Sequence, residues 1–216
     1  MDIIYLGHSS FKIKGKKTTV VTDPFDSALV GIKFPATEAD IVTVSHNHDD
    51  HNKTSLVDGA RMVLDTSGEY EIGGTSFIGI SSYHDADKGA ERGKNTIFVI
   101  EMDGLRLCHL GDLGHKLTES ALEEIGNIDI LFIPVGGVYT IDAKVAAEVV
   151  SEIDPRIIIP MHYWDESLNK ESFADLAKVD VFLSEIGLKT ERLPKLSIKA
   201  GEISSEDQVV YVLDRK

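Results

Sequence analysis

The chain has 216 residues, of which 42% are hydrophobic, and its formal net charge is −14. This length and composition are typical of an ordinary globular protein with one sizeable hydrophobic core. The acidic balance repels polyanions and leaves no basic footprint, so the sequence argues against a nucleic-acid partner.

Short apolar stretches separated by turn residues predict that the first half of the chain consists mainly of strands. The first three form an antiparallel meander, and Asp23-Pro24 ends the third. Asp103-Gly104 is a strong hairpin signal, and a helix is predicted to begin within 52–58. The predicted strands are Ile3–Leu6, Ser10–Ile13, Thr18–Thr22, Ile41–Ser45, Arg61–Leu64, Glu69–Ile72, Thr75–Ile80, Thr96–Met102 and Leu105–Leu110.

In the second half of the chain, predicted helices alternate with buried strands. This order favours an α/β protein in which two sheets pack face to face with helices outside. No linker or boundary interrupts the pattern, so we expect residues 1–216 to form a single domain. The predicted helices are Leu117–Ile125, Asp142–Ile153 and one beginning at Lys170–Leu176, and the strands are Ile130–Pro134, Ile157–Pro160, Leu196–Lys199 and Val209–Leu213.

The segment 46–51 is the most informative part of the sequence. It reads H-x-H-x-D-H and places four potential metal ligands in six positions, directly after an apolar strand. Residues two apart in an extended segment point the same way, so His46 and His48 can share one ion. Asp50 and His51 diverge and are better placed for a second ion. Imidazole and carboxylate together suit zinc, and manganese or iron less exclusively.

One loop cannot complete two metal sites, and three other candidates follow apolar strands elsewhere in the chain. They are His84, Asp112 and His162. Each stands just past a strand end, as the segment 46–51 does. Strand ends that gather at one edge of a sandwich of sheets converge there, so we expect these side chains to meet the segment 46–51.

The order of these motifs resembles the metallo-β-lactamase superfamily over nearly the whole chain. The resemblance is carried by H-x-H-x-D-H, then His84, then G-D at Gly111-Asp112 and P-M-H at Pro160–His162. Three further stretches are similar to a branch of small metal-dependent hydrolases that includes ascorbate-6-phosphate lactonase. These stretches are Ile4–Ser9, Thr22–Pro24 and Phe132–Gly137.

The resemblance implies an αββα sandwich of two mixed β-sheets with helices on the outer faces and a binuclear centre at one edge. It implies that the first metal is held by His46, His48 and His84, that the second is held by Asp50, His51 and His162, and that Asp112 bridges both. Two divalent ions, zinc by preference and otherwise manganese or iron, would share a hydroxide that attacks the substrate. Asp50 is then also a catalytic candidate, which orients the hydroxide or relays a proton.

Other residues are candidates for a supporting role. Asp23 either makes a turn with Pro24 or supports a ligand histidine, as the equivalent residue does in the superfamily. His8 is either a residue on the substrate side of the metals or a turn residue. Tyr163, like Tyr139 and Trp164, is either a pocket residue or a packing residue.

Two further histidines leave alternatives open. His115 stands close to Asp112 and competes with His84 as a ligand candidate, although a turn histidine is usually solvated. His109 is read as a hydrogen-bonded core residue rather than a ligand. Leu113 stands where the family often has a hydroxyl residue, which removes a hydrogen bond near the metals.

These observations favour a metal-dependent hydrolase of a small ester, lactone or phosphodiester. The alternatives are a non-catalytic, metal-held binding or sensor protein and a metal-dependent oxidoreductase. Imidazole at His48, where oxygen-reducing di-iron relatives have a carboxylate, favours hydrolysis.

The sequence also carries expectations about partners and location. The metals would supply positive potential for a small anionic substrate. A homo-oligomer is compatible with the sequence. The longest apolar runs are shorter than the roughly 20 residues of a membrane span. With a single cysteine, Cys108, no intrachain disulfide can form, and with no secretory signal at the N-terminus we expect a cytoplasmic protein.

Overall fold

The computed structural model describes residues 1–203 and 207–216. Its backbone is built mainly from short strands. In chain order these are β1 (Asp2–Gly7), β2 (Ser10–Lys14), β3 (Thr19–Thr22), β4 (Thr37–Glu38), β5 (Ile41–Thr43), β6 (Val57–Asp58), β7 (Met62–Leu64), β8 (Gly68–Ile72), β9 (Thr75–Tyr83), β10 (Lys94–Met102), β11 (Leu105–His109), β12 (Ile130–Pro134), β13 (Ile157–Met161), β14 (Lys189–Leu193), β15 (Leu196–Ser197) and β16 (Val209–Leu213).

The helices are short, and four of them begin at a side chain that accepts hydrogen bonds from the first turn: Asp26, Thr118, Asp142 and Asn169. Such caps satisfy backbone N–H groups that have no partner within the helix. The helices are α1 (Ser27–Val30), α2 (Glu119–Ile125), α3 (Ala143–Ile153), α4 (Lys170–Phe173) and α5 (Val179–Ile186), with 3₁₀ turns at Thr54–Leu56 and Ala200–Glu202.

Two mixed sheets make up most of the fold. The first has the order β15-β1-β2-β3-β5-β7 and the second has the order β14-β16-β13-β12-β11-β10-β9-β8, while β4 and β6 form a small separate pair. Both large sheets contain parallel and antiparallel pairs. The structure therefore confirms the predicted class, an αββα sandwich of two mixed sheets with helices on the outer faces.

The core has three layers, which follow from the alternation of side chains along each strand. In β10, Phe98 and Ile100 belong to the cluster between the two sheets, where they join Phe11 and Ile13 of β2. The intervening residues Ile97 and Val99 face the other way and join the cluster under α2, α3 and α5. A third cluster packs α1 and α4 on the outer face of the first sheet.

Strand direction explains why one edge of the sandwich collects the functional residues. In the second sheet, β10 is antiparallel to both β9 and β11, and β11, β12 and β13 are parallel. The strands β9, β11 and β13 therefore end at the same edge. The same reasoning places the ends of β1, β3 and β5 together in the first sheet.

Most predicted elements are confirmed, including the meander of β1, β2 and β3 and the hairpin between β10 and β11. The predicted helix in 52–58 is wrong, because the chain there forms a 3₁₀ turn followed by β6. The predicted helix beginning at Lys170 ends at Phe173, and α5 and β14 were not predicted. In the described residues, no helix is long and apolar enough to cross a membrane.

Candidate metal centre

All seven predicted ligands converge at one edge of the sandwich. The loop 46–51 follows β5 of the first sheet, and the other three residues follow β9, β11 and β13 of the second sheet. Three groups of side chains have potential ligand atoms within 4.8 Å of one another. They are His46, His48 and His84; His8, Asp50, His51 and His162; and His46, His51 and Asp112.

Asp112 lies at the centre of this cluster. Its Oδ2 atom is 3.2 Å from Nε2 of each of three histidines, His51, His84 and His162, and 4.0 Å from Nε2 of His46. Ligands about 2.0–2.1 Å from a tetrahedral zinc ion stand about 3.3 Å from one another. The spacing around Asp112 therefore fits a carboxylate that binds metal together with the imidazoles around it.

The hydrogen bonding of the buried cluster is incomplete without a cation. His46 Nε2, His51 Nε2 and Asp112 Oδ1 are buried and have no hydrogen-bond partner among the described residues. An unsatisfied buried polar group costs about 1–3 kcal/mol, and more when it is charged. Nitrogen and oxygen donors that face each other at this spacing without a hydrogen bond are suited to a divalent cation.

The electrostatics of the site keep its carboxylates anionic. Burial raises the pKa of Asp112, but the neighbouring His162 and His51 outweigh it and hold that pKa well below its usual range. The pKa of Asp50 is also lowered, because His51 and His8 outweigh its burial. Burial lowers the pKa of His46 well below that of a free imidazole. Anionic carboxylate and neutral imidazole are the forms that bind metal ions. Burial also opposes the charged forms of His51 and His84, but Asp112 outweighs it and raises the pKa of both rings, so metal binding there would release protons.

Asp23 fixes the orientation of two of the predicted ligand histidines. Its Oδ2 atom is 2.9 Å from Nδ1 of His51 and accepts a hydrogen bond of 2.6 Å from the hydroxyl of Ser45. The Ser45 hydroxyl is in turn 2.9 Å from Nδ1 of His46. A carboxylate on the far nitrogen of a ligand imidazole sets the ring's orientation and raises its basicity. Asp23 therefore contacts one predicted ligand, His51, directly and a second, His46, through Ser45.

Replacing Asp23 by alanine is expected to weaken zinc binding by about tenfold to a hundredfold, the usual effect of losing an outer partner of a ligand. Titration of the chelated protein with zinc against a competing indicator measures this change. Asp49→Ala is the matched control, since that exposed carboxylate of the same loop pairs with Lys53 instead. Equal zinc affinity in Asp23→Ala and wild type would contradict the supporting role.

His8 lies inside the cluster rather than in a free turn. Its Nε2 atom is 3.1 Å from Oδ2 of Asp50, and its ring centroid is 4.2 Å from that of His162. Burial and the neighbouring His162 lower the pKa of His8 to about 4. A neutral ring has one N–H group, and the geometry allows it to donate that proton to Asp50.

Three residues that touch the centre have left-handed backbone conformations. The φ angles of His8, Asp23 and His162 are 56°, 39° and 52°. Side chains with a Cβ atom rarely adopt this region, and each such residue stores about 1–3 kcal/mol. All three follow directly after a strand end, where the sharp turn directs the ring or carboxylate toward the cluster.

A cavity of about 340 Å³ opens onto the cluster and is lined by five of the predicted ligands. Its other walls include Leu29, Arg92, Tyr139, Ser172 and Phe173. This volume is at the small end of the range for ligand pockets. Tyr139, for which the sequence left a pocket role and a packing role open, lines this cavity.

Tyr163 does not line the cavity at the cluster. Tyr163 and Trp164 line a different cavity of about 480 Å³, which also includes Tyr5. Consecutive residues diverge, so the residue after a ligand need not face the same cavity. The Tyr163 ring instead packs 6.5 Å from the ring of Tyr5.

The two remaining histidines do not join the cluster. His109 is buried, and its Nε2 atom is 2.9 Å from the backbone oxygen of Ser9, which agrees with the predicted core role. His115 accepts a hydrogen bond from the backbone N–H of Tyr83 instead of competing with His84.

Sequence reasoning missed Asn95, which positions Asp112. Its side chain accepts a hydrogen bond of 3.0 Å from the backbone N–H of Asp112 and donates to the Leu110 carbonyl. A Cβ atom on Gly111 would collide with Asn95 and Ser45, so only glycine fits between them. Asn95 is buried, but in the sequence it stands between Lys94 and Thr96 at the polar start of β10, so no local pattern indicated this role.

Comparisons with known proteins show what the chain is similar to. A family model described as a beta-lactamase superfamily domain matches residues 2–162. A UPF0173 metal-dependent hydrolase from Thermoplasma acidophilum is 34% identical over 188 residues, covering 76% of this chain and 83% of that protein. Another from Thermococcus onnurineus is 29% identical over 190 residues, covering 76% and 84%.

A solved structure gives a closer overall match. It is a Thermotoga maritima protein provisionally described as a Zn-dependent hydrolase of the metallo-β-lactamase superfamily. The two chains are 38% identical, each is covered over 98% of its length, and the TM-score is 0.79.

Proposed function

The chain belongs to the metallo-β-lactamase superfamily and is a metal-dependent hydrolase, and we propose that it cleaves a small ester, lactone or phosphodiester with two divalent ions. The observation that carries this proposal is the position of Asp112, whose Oδ2 atom is 3.2 Å from Nε2 of three histidines. The similar proteins reported above are described as hydrolases, which favours this function over a sensor or an oxidoreductase.

The ligand assignment of the proposal follows the groups of donor atoms. His46, His48 and His84 would hold one ion, and Asp50, His51 and His162 would hold the other. Asp112 would contact both. All-imidazole and mixed imidazole–carboxylate sets favour zinc over magnesium or calcium. The Thermotoga maritima protein with a Zn-dependent description supports the same preference.

When bound, the ions lower the pKa of a water molecule and polarise the oxygen of the bond that is cleaved. Asp50 would hold the attacking water and take up its proton, because its carboxylate lines the cavity and its side chain is 15% exposed. His8 would fix Asp50 by donating to Oδ2, which leaves the other oxygen of this carboxylate for the water.

The strand pairing supports one further part of the proposal, the single domain. Near the C-terminus, β15 pairs with β1 and β16 pairs with β13. Strands from both halves of the chain therefore contribute to both large sheets, and we propose a single domain over 1–216. A cytoplasmic location stays a prediction from the sequence.

A hydrolase panel tests the proposed function. Zinc-loaded protein is assayed with phosphodiester, lactone, thioester and β-lactam substrates, and chelated protein serves as the control. We expect turnover of at least one ester, lactone or phosphodiester that disappears after chelation. Activity that survives complete metal removal, or turnover confined to β-lactams, would contradict the proposal.

The variant His48→Ala tests the ligand assignment. His48 is exposed at the mouth of the cavity, so its truncation should lower zinc content and activity together without disturbing the core. Elemental analysis of the purified protein measures the zinc content. His115→Ala removes a histidine outside the cluster and should leave the content unchanged, whereas normal zinc content in His48→Ala would refute the assignment.

A further inference from the structure

We propose that Arg92 binds an oxyanion, a carboxylate or phosphate, that the substrate carries beside the bond that is cleaved. The inference rests on the proposed function, because it assumes that the reacting part of the substrate lies at the ligand cluster. It adds a substrate class: small molecules with an anionic group separate from the reacting ester, lactone or phosphodiester.

The position of Arg92 is the first observation. Arg92 lines the cavity together with five of the predicted ligands. Apart from the histidines, it is the cationic side chain in the cavity wall. Its side chain is 33% exposed, so the guanidinium is accessible from the cavity mouth and still partly shielded from water. Partial shielding strengthens an ion pair relative to one at the open surface.

The loop that carries Arg92 is held rigidly beside the metal cluster. Asp85 directly follows His84 and is only 4% exposed. Its Oδ1 atom accepts hydrogen bonds from the backbone N–H groups of Asp87 and Gly89, at 2.9 and 2.8 Å. Its Oδ2 atom accepts from Glu91 and Arg92, at 3.1 and 2.8 Å. One buried carboxylate thus fixes the backbone of Arg92 relative to the ligand His84.

The guanidinium group is positioned as well. Its central carbon lies 5.8 Å from the centroid of the Tyr139 ring, within the range of a cation–π contact. The Tyr139 hydroxyl donates a hydrogen bond of 3.0 Å to the backbone oxygen of Ser172, which fixes the ring. Among the described residues, only Nη1 of the guanidinium has a hydrogen-bond acceptor, the exposed Glu91 at 3.2 Å. The geometry leaves Nη2 and Nε for a bidentate contact with an oxyanion.

The charge of the site favours the same class of ligand. The chain as a whole carries −14. At the cluster, two divalent ions would outweigh the three buried or partly buried carboxylates that contact it, those of Asp23, Asp50 and Asp112, before Arg92 is counted. A small region of positive potential in an acidic protein attracts anions to that point. Leu29 and Phe173 supply an apolar wall that suits a short hydrocarbon segment of the substrate.

The test measures binding rather than turnover, by isothermal titration of zinc-loaded protein. The probes are succinate, glutarate and adipate, 3-phosphonopropionate, and butyrate as a singly charged reference. We expect wild type to bind at least one doubly anionic probe at least about tenfold more tightly than butyrate. A charged hydrogen bond contributes about 1.5–3 kcal/mol, so Arg92→Gln should lose about tenfold to a hundredfold in affinity for that probe and none for butyrate.

Two companion variants complete the design. Lys88→Gln removes the same charge from the same loop at an exposed residue and should bind all probes as wild type does. Arg92→Lys keeps the charge without the planar fork and should recover only part of the affinity. The comparison of 3-phosphonopropionate with the dicarboxylates shows whether phosphate or carboxylate is the preferred oxyanion.

The zinc content of the same samples separates this inference from the proposed function. Wild type that binds no zinc contradicts the proposed function. Zinc-loaded Arg92→Gln that keeps wild-type preference for the doubly anionic probes overturns the role of Arg92 alone, as does wild type with no preference over butyrate.

Discussion

Asp112→Asn is expected to abolish measurable turnover while leaving the fold largely intact. The substitution keeps the size of the side chain but removes the negative charge that lies 3.2 Å from three imidazoles. Loss of an outer partner of a metal ligand costs about tenfold to a hundredfold in activity. Because Asp112 would contact both ions directly, the loss should exceed a hundredfold, and zinc content should fall as well.

The backbone around Asp112 should survive this substitution. The side chain of Asn95 still accepts the backbone N–H of residue 112, and Gly111 is unchanged. Steady-state kinetics on a substrate found in the panel, together with circular dichroism, measure the effect. Asp58→Asn is a matched exchange at an exposed position. A turnover number for Asp112→Asn within a few fold of wild type would remove Asp112 from the centre.

Chelation is expected to lower the melting temperature of the protein by on the order of 10 °C. A ligand present at a thousand times its dissociation constant stabilises the folded state by about 4 kcal/mol. For chains of about this size, 1 kcal/mol shifts the melting temperature by about 2–4 °C. The ligands come from both sheets, since the loop 46–51 belongs to the first sheet and His84, Asp112 and His162 follow strands of the second. Bound ions therefore join the two halves of the sandwich.

Differential scanning fluorimetry of zinc-loaded, chelated and zinc-restored protein measures this shift. Restoration of the original melting temperature by zinc controls for damage by the chelator. The shift should be smaller for His48→Ala, which lacks one ligand of the proposed first ion. An unchanged melting temperature after verified metal removal would show that the cluster does not depend on a cation for stability.

The parts of the site that could be predicted from the sequence share one property. His84, Asp112 and His162 each follow an apolar run, and parallel strands end at a common edge, so local sequence and topology point to the same place. The hairpin at Asp103-Gly104 was predictable for a similar reason, because both residues have the positive φ angles that its tight turn requires.

Other features depend on contacts between distant residues and leave no local pattern. Arg92 belongs to a polar loop whose shape is set by Asp85, and its neighbour Tyr139 is far away in sequence.

The residues of α5 include β-branched and aromatic side chains that are not typical of helices. This helix packs against α3, and Phe182 is fully buried there. β14 carries lysine, glutamate and arginine at the edge of a sheet, so its sequence lacks the apolar alternation of a strand.

The left-handed conformations of His8, Asp23 and His162 lower the stability of the folded state in return for a function of these side chains. Glycine at any of these positions would relieve the backbone and remove the side chain that the centre uses. The folded state therefore gives up several kcal/mol in total, by the general magnitude for such residues, to aim two imidazoles and a carboxylate. Substitutions that stabilise the protein at these three turns should lower its activity. Stabilising substitutions at other positions should not have this cost.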